Sequence, residues 1–250
     1  MKAMIFAAGM GTRLRPLTDH MPKALVPVAG KPMLERVIIR LKEAGFNEIT
    51  VNIHHFGEQI IEFLRANNNF GIAINVSDER GELLDTGGGI KKARSFLDGN
   101  EPFLIHNADI LSDLDLAAFY RHHLSGNVDA TLLTNHRKTS RYLLMNKEHR
   151  LCGWTNLSTG EVLPQNLDYP SEEYTLEAFG CVHVLSPSIF SYMKEQWTGK
   201  FSIIPFYVDI CQKAQIQGYP LDSENWFDIG KPETLAKAEA YYHTNETASE

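Results

Sequence analysis

The sequence predicts an α/β protein in which a mostly parallel sheet is followed by a region richer in antiparallel strands. Three observations support this prediction. Short apolar runs of strand length are separated by segments that carry apolar residues at helical spacing. This alternation continues to about residue 107 and is typical of βαβ units. Beyond residue 130, strand-like runs follow one another without long helices, which favours antiparallel or mixed pairing.

The first half is predicted to contain four strands and three helices. The predicted strands are Lys2–Ala8, Glu48–Ile53, Ile72–Ser77 and Pro102–Asn107. The predicted helices are Met33–Ala44, Gly57–Asn67 and Gly88–Leu97. Gly45 is well suited to end the first helix because glycine readily adopts the left-handed conformation of a helix C-terminus.

The second half is predicted to contain four strands and two helices. The predicted strands are 130–134, 142–145, 151–154 and 178–185, and the predicted helices are Pro187–Gln196 and Pro232–Tyr242. Each of these helices begins with proline, which fits the first turn. Residues 166–175 read as an exposed loop, and the polar residues 243–250 as a frayed end.

Composition and charge exclude several classes of protein. The 250 residues are 43% hydrophobic and 22% charged, as in an ordinary globular protein. The net charge of −7 argues against general nucleic-acid binding. No apolar run approaches the roughly 20 residues that cross a bilayer, so no membrane association is expected. Three cysteines at unrelated spacings fit reduced thiols and a cytoplasmic location.

A basic segment at the N-terminus predicts a site for an anionic small molecule. Eight cationic and two anionic residues give positions 1–42 a net charge of +6, which leaves −13 for the remainder. The first predicted strand runs into Gly9-Met10-Gly11-Thr12-Arg13, where glycine backbone amides and a guanidinium can face phosphate oxygens. Lys23 follows Pro22 and precedes Pro27, so we interpret it as a cation held in a stiff loop.

These motifs resemble a known family. The pattern A-A-G-x-G-T-R-L-R-P-L-T, followed by P-K-x-L-x-P-V, is similar to that of the sugar-1-phosphate nucleotidylyltransferases, also called nucleoside diphosphate sugar pyrophosphorylases. The resemblance implies a Rossmann-like three-layer sandwich with a mostly parallel mixed central sheet and a small antiparallel extension. It also implies a single domain over residues 1–243, with a nucleotide-binding half (1–125), a sugar-binding half (126–243) and a polar tail at 244–250.

The resemblance assigns functions to particular residues. It implies that Arg13 and Lys23 are catalytic and that both contact the nucleotide phosphates. The other nucleotide-binding residues that it implies are Ala8, Gly9, Gly11, Thr12, Glu82 and Gly87, of which Glu82 and Gly87 would read the base. The sugar-binding residues that it implies are Gly88, Asn107, Glu177 and Gly180.

Two aspartates predict a magnesium site. Asp109 follows a predicted parallel strand, at the edge where α/β folds place ligands. Asp228 lies in Trp226-Phe227-Asp228-Ile229-Gly230, and both carboxylates are surrounded by apolar sequence. A charge in such surroundings needs a partner, and Mg²⁺ prefers oxygen ligands. In the family, these two positions bind the metal.

Other chemically active residues are interpreted as structural. Adjacent histidines point in different directions, so His54, His55, His122 and His123 are expected to be structural or solvated rather than metal ligands. The aromatic residues Trp154, Trp197 and Tyr207 are expected in the core.

The implied reaction converts an NTP and a sugar 1-phosphate to an NDP-sugar and pyrophosphate. Within the family, the chain most resembles the uridylyltransferases that use UTP and N-acetylmuramic acid 1-phosphate in cell-wall recycling. A guanylyltransferase acting on mannose 1-phosphate or heptose 1-phosphate is the alternative, because a carboxylate at position 82 also suits guanine. A metal-dependent glycosyltransferase and a non-catalytic nucleotide sensor are alternatives of another class. The protein could be a monomer or a homodimer.

Overall fold

The computed structural model describes residues 1–247, with side chains through residue 245. Within this range the strands are β1 (Lys2–Phe6), β2 (Pro27–Val28), β3 (Lys31–Pro32), β4 (Glu48–Ile53), β5 (Ala73–Asp78), β6 (Phe103–Asn107), β7 (Ile110–Ser112), β8 (Ala130–Asn135), β9 (Arg141–Met145), β10 (Leu151–Asn156), β11 (Glu161–Leu163), β12 (Thr175–Leu185), β13 (Ile216–Pro220) and β14 (Trp226–Asp228). The helices are α1 (Met33–Glu43), α2 (Gly57–Ala66), α3 (Asp85–Lys92), α4 (Arg94–Leu97), α5 (Leu116–Ser125), α6 (Ile189–Tyr192), α7 (Ile203–Ile210) and α8 (Pro232–Thr247).

The chain forms two compact units. Unit 1 comprises Met1–Leu83, His106–Leu116 and the chain from Ser223 onward, and unit 2 comprises Leu84–Ile105 and Ala117–Asp222. The units are not consecutive halves, because segments from the middle and the end of the chain belong to unit 1. The assignment of nucleotide and sugar binding to residues 1–125 and 126–243 stays a prediction.

Unit 1 contains the parallel strands that the alternating pattern predicts. β1 pairs in parallel with β4, and β4 pairs in parallel with β5. Their buried faces carry residues such as Met4, Ile49 and Val51, and α1 contributes Leu34 and Ile38 to the same core. The short strands β7 and β14 form a separate antiparallel pair. The sheet thus holds the C-terminal ends of its parallel strands at one edge.

Unit 2 contains mixed strand pairing, as its lack of long helices predicts. The long strand β12 pairs antiparallel with β9 near its start and with β8 further on. β10 pairs antiparallel with β9 and β11. β13 adds a parallel strand beside β8. The fold class predicted from the sequence, α/β with a mixed sheet and small antiparallel additions, is confirmed.

Several element boundaries differ from the prediction. The helix predicted at Gly88–Leu97 begins at Asp85 and is divided into α3 and α4. The helix predicted at Pro187–Gln196 is only the four residues of α6. The carbonyls of Met193, Lys194 and Trp197 accept hydrogen bonds from Lys91 Nζ and are not used in a longer helix. The end predicted to fray at 243–250 is helical through Thr247, and residues 248–250 lie outside the described residues.

The predictions for the aromatic and sulfur-containing residues are confirmed only in part. Tyr207 is fully buried. Trp154 and Trp197 are only half-buried, and the Trp197 indole N–H donates to Asp209 at 2.9 Å, which holds its edge near the surface. The three cysteines are free thiols, as predicted. Over residues 1–247, no helix has the length and apolar character needed to cross a lipid bilayer.

Candidate active site

The glycine loop follows the end of β1 and belongs to unit 1. Gly9 is exposed, and a Cβ at this position would meet nothing within 4 Å. Gly11 has a φ of 65°, in the left-handed region that glycine tolerates best. A single 3-10 turn, Thr12–Leu14, follows it, and the side chain of Arg13 is exposed. The loop therefore presents open backbone and a guanidinium to solvent, as its sequence predicts.

Gly11 is also the point where the loop contacts the segment that carries Lys23. A Cβ at position 11 would lie 2.8 Å from Thr18 Cγ2 and 3.0 Å from Lys23 Cβ. The Thr18 hydroxyl donates to the Gly11 carbonyl at 2.8 Å, and Thr18 is buried. The absence of a side chain at Gly11 thus lets Lys23 approach the loop. Sequence reasoning did not single out Thr18, because its partner is known only after the loop has folded back.

Lys23 forms an ion pair with Asp109. Its ammonium Nζ contacts Asp109 Oδ2, and the two side chains are 11% and 23% exposed, respectively. Asp109 follows β6, where the Ala108 amide donates to the Phe6 carbonyl at 3.0 Å. The end of the strand therefore fixes the Asp109 carboxylate beside the glycine loop. The prediction that Lys23 is held in place is supported by this contact.

Asp228 is brought beside Asp109 by the antiparallel pair of β7 and β14. Asp228 pairs with Ile110 in the strand register, and the Ile229 amide donates to the Asp109 carbonyl at 2.9 Å. The two predicted metal ligands, which are distant in sequence, are therefore neighbours. Across the described side chains, no group of three or more His, Cys, Asp or Glu residues could hold a metal by itself.

Gly230 lets Arg13 approach Asp228. A Cβ at position 230 would lie 2.5 Å from Arg13 Nη2 and 3.0 Å from Asp228 Oδ1. The guanidinium, the carboxylate and the glycine therefore converge at one point. Gly230 is a second residue that sequence reasoning missed, although a glycine two residues after a predicted ligand was a usable signal.

The donor set of this site fits magnesium. Two carboxylates offer the hard oxygen ligands that Mg²⁺ prefers, and such sites usually leave the other positions to phosphates and water. The Lys23 ammonium already contacts one oxygen of Asp109, which shows that the carboxylate can accept a cation. Asp109 and Asp228 would hold the ion when it is bound.

A buried histidine next to this site stays neutral. Burial, together with a smaller effect of the nearby Arg40, lowers the pKa of His106 to about 4. The Asn107 carbonyl, which contacts His106 Nδ1 at 2.8 Å, and Asp109 oppose this shift. His106 is therefore uncharged at neutral pH and does not compete with Lys23 as a cation for Asp109.

The expected base-reading residues have different surroundings. Glu82 is exposed, and its amide donates to the Glu79 carbonyl at 3.0 Å. Gly87 is buried in α3, and the amides of Gly87 and Gly88 both donate to the Phe201 carbonyl, at 2.9 Å and 3.1 Å. The sequence predicts a helix that begins at Gly88, whereas in the structure Gly87 also lies within the helix, and both glycines let it approach residues 199–201. Contacts of Glu82 and Gly87 with the base stay predictions.

The expected sugar-binding residues are also described individually. Asn107 ends β6 and is half-buried, whereas Gly88 packs against the Gly199 carbonyl and Gly180 against Leu133. Glu177 is 1% exposed, and its Oε1 lies 3.2 Å from His149 Nδ1. Its Oε2 has no hydrogen-bond partner among the described residues. Contacts of these four residues with a sugar stay predictions.

The histidine pairs make structural contacts. His123 is buried between Thr131 Oγ1 at 2.9 Å and Ser186 Oγ at 3.0 Å, while His122 is exposed. His54 Nδ1 contacts the Glu79 carbonyl at 2.7 Å, and the His55 ring packs against Phe56. These contacts agree with the interpretation of the four histidines as structural or solvated.

Known proteins with similar sequences are sugar-phosphate nucleotidyltransferases by name. N-acetylmuramate alpha-1-phosphate uridylyltransferase from Neisseria meningitidis is 42% identical over 149 residues, which cover 60% of this chain and 61% of that protein. The chain thus matches less than two thirds of that relative. The protein of the same name from Caulobacter vibrioides is 32% identical, with 95% of each chain covered. Mannose-1-phosphate guanylyltransferase catalytic subunit beta from Dictyostelium discoideum is 29% identical over 97% of this chain and 64% of that one.

Solved structures share the fold. A UDP-glucose pyrophosphorylase complexed with UDP-glucose superimposes with a TM-score of 0.76 at 18% identity, covering 98% of both chains. The family profile described as Nucleotidyl transferase matches residues 2–245. The family resemblance predicted from the glycine loop and Lys23 is therefore confirmed, and the chain belongs to the nucleotidyl transferase family.

Proposed function

We propose that the protein transfers a nucleotidyl group from an NTP to a sugar 1-phosphate and releases pyrophosphate. The observation that carries this proposal is the ion pair of Lys23 with Asp109, next to Asp228 and the open glycine loop. A positioned cation, two oxygen ligands for a metal and exposed backbone amides are together what triphosphate chemistry needs. A glycosyltransferase would not need the cations of the glycine loop.

The reaction needs no general base. A phosphate monoester has a second pKa of about 6, so the sugar phosphate is already largely a dianion at pH 7. His106, the histidine close to Asp109, is buried and uncharged, with its pKa lowered to about 4. Catalysis then depends on placing the attacking oxygen in line with the α-phosphorus and on neutralising charge.

Each residue of the site has a distinct part in this proposal. Arg13 and Lys23 offset negative charge on the triphosphate. The open backbone at Gly9 lets phosphate oxygens approach the loop amides. Asp109 and Asp228 would hold Mg²⁺, which would supply Lewis-acid stabilisation of the phosphate oxygens.

UTP and N-acetylmuramic acid 1-phosphate are the substrates that we propose. The names of the relatives from Neisseria meningitidis and Caulobacter vibrioides support this choice. A role in the recycling of cell-wall sugars in the cytoplasm would follow from it. GTP with mannose 1-phosphate is the second candidate, which the guanylyltransferase from Dictyostelium discoideum supports.

The test is a matrix of four NTPs against N-acetylmuramic acid, glucose and mannose 1-phosphates, with pyrophosphate release as the readout. We expect UTP with N-acetylmuramic acid 1-phosphate to give the largest kcat/KM. A preference for GTP with mannose 1-phosphate would establish the second candidate instead. Absence of pyrophosphate with every pair would overturn the proposed reaction.

Variants of the same site test its assignment. Lys23→Ala should lower kcat/KM by about 10²–10³-fold, since a positioned charge contributes several kcal/mol to transition-state stabilisation. Lys31→Ala removes one exposed positive charge from the neighbouring β3 and should leave kcat/KM within about twofold.

Asp228→Asn keeps the shape of the side chain and should raise the Mg²⁺ concentration required for activity. Unchanged magnesium titrations in both Asp109→Asn and Asp228→Asn would exclude the metal site.

A further inference from the structure

Asn52 is a buried polar residue in the centre of the parallel strands of unit 1. It is 1% exposed and lies near the end of β4. In the strand register it is opposite Phe6 of β1 on one side and Ser77 of β5 on the other. Phe6 is the last residue of β1, so Asn52 lies where the chain leaves the sheet to form the glycine loop.

Both ends of the Asn52 carboxamide form hydrogen bonds. Its Oδ1 accepts hydrogen bonds from the amides of Ala7 at 2.7 Å and Ala8 at 3.3 Å. Its Nδ2 donates to Glu79 Oε1 at 2.8 Å. This orientation is the one that chemistry requires, because only the oxygen can accept from amides and only the nitrogen can donate to a carboxylate. Glu79 therefore holds the Asn52 carboxamide with its oxygen toward the loop.

The two backbone amides need this acceptor. Ala7 and Ala8 are buried but lie beyond β1, so they have left its ladder. A buried amide without an acceptor is unfavourable, so the backbone would turn elsewhere if the oxygen were absent. The position of one oxygen atom thus fixes the direction in which the chain enters Gly9–Gly11.

We propose that Asn52, oriented by Glu79, is a positioning residue that sets the backbone of the nucleotide loop. Asn52 acts through Ala7 and Ala8 and need not touch the substrate. The proposal rests on the proposed function in one respect only, namely that the loop binds the NTP phosphates. Aspartate and serine do not suit the position equally well: aspartate would place a second carboxylate against Glu79, and serine lacks the second polar group.

The test is a polarity exchange across the Asn52–Glu79 hydrogen bond. Asn52→Asp keeps an acceptor for the two amides but sets two carboxylates together. Adding Glu79→Gln to it restores the hydrogen bond with donor and acceptor exchanged. Ser77→Ala is the matched control, since Ser77 is buried, lies opposite Asn52, and its hydroxyl has no hydrogen-bond partner among the described residues.

Three readouts separate positioning from a purely structural role. They are hydrogen exchange at the Ala7 and Ala8 amides, the KM values for NTP and for sugar 1-phosphate, and the melting temperature. In Asn52→Asp we expect exchange at both amides and the KM for NTP to rise by about tenfold, with the sugar-phosphate KM within about twofold. The double variant should return both values to within about threefold of the parent, and Ser77→Ala should change neither.

Other outcomes contradict the proposal. Unchanged amide exchange and NTP KM in Asn52→Asp would overturn it. The proposal would also be overturned if both KM values rose together as the melting temperature fell and neither recovered in the double variant. That result would indicate a structural role alone. If the parent released no pyrophosphate with any substrate pair, the proposed function would fail, while amide exchange would still decide whether Asn52 holds the loop.

Discussion

Two glycine-rich segments of this protein have similar sequences and opposite environments. Gly9 and Gly11 lie in a loop of unit 1 where residue 9 is exposed and open to solvent. Gly87 and Gly88 lie in α3 of unit 2, where both are buried and their amides donate to the Phe201 carbonyl. The family resemblance implies ligand contacts for glycines of both segments. In the structure, the first segment is an open loop and the second is part of a tightly packed helix.

The difference shows what a glycine pattern can establish. Absence of a side chain indicates that something approaches the backbone closely, but it does not indicate whether that is a ligand or another part of the chain. The neighbouring residues do not supply the missing information, because polar Thr12 and Arg13 follow Gly11 and polar Asp85 and Thr86 likewise precede Gly87. The folded structure is what separates the two cases.

The largest effect of adding one methyl group is expected at Gly88. Its Cβ would overlap the backbone carbonyl oxygen of Gly199, which cannot move aside as a flexible side chain can. We expect Gly88→Ala to lower the free energy of unfolding by about 3 kcal/mol, despite the better helix propensity of alanine. Chemical denaturation measures this loss in the free energy of unfolding. Gly81→Ala, which would meet nothing within 4 Å, is the control. Equal stability of the two variants would show that α3 and residues 199–201 are not tightly packed.

A smaller effect on stability is expected at Gly11. Alanine at a φ of 65° costs about 1–2 kcal/mol, and its Cβ would lie 2.8 Å from Thr18 Cγ2. Because the same Cβ would lie 3.0 Å from Lys23 Cβ, we also expect kcat/KM to fall by about tenfold or more.

A second variant separates the causes. Adding Thr18→Ser to Gly11→Ala removes Cγ2 but keeps the hydroxyl that donates to the residue 11 carbonyl. It should recover part of the activity and leave the backbone strain. If Gly11→Ala alone had parental activity, close approach of Lys23 to the loop would not matter.

The sequence predicts local structure and chemistry better than long-range contacts. The predicted strand Glu48–Ile53 matches β4, because an apolar run with clear ends determines a buried strand locally. The apolar sequence around Asp109 and Asp228 indicates that each carboxylate needs a partner, and their role as metal ligands stays a prediction. Thr18, Gly230 and Asn52 were not recognised, because their importance comes from atoms that only the folded chain brings close. The start of α3 was misplaced for the same reason, since its glycines are stabilised in the helix by Phe201.

The smallest effect on stability is expected at Gly9, and it distinguishes the two segments most directly. Gly9 is not in the left-handed region, and a Cβ there would meet nothing within 4 Å, so alanine fits without strain. Because alanine reduces the freedom of the unfolded chain, Gly9→Ala should leave the free energy of unfolding unchanged or raise it by about 0.5 kcal/mol. Its KM for NTP should nevertheless rise by about fivefold, since the methyl group would stand where phosphate oxygens approach the backbone. This pattern, with stability kept and nucleotide affinity reduced, is the reverse of the one expected at Gly88.

Denaturation and steady-state kinetics on the same preparation measure the free energy of unfolding and the KM for NTP. Parental kinetics in Gly9→Ala would mean that no ligand approaches this glycine closely. The exposed loop would then not be a ligand-binding segment, and the contrast with the packed glycines of α3 would not hold.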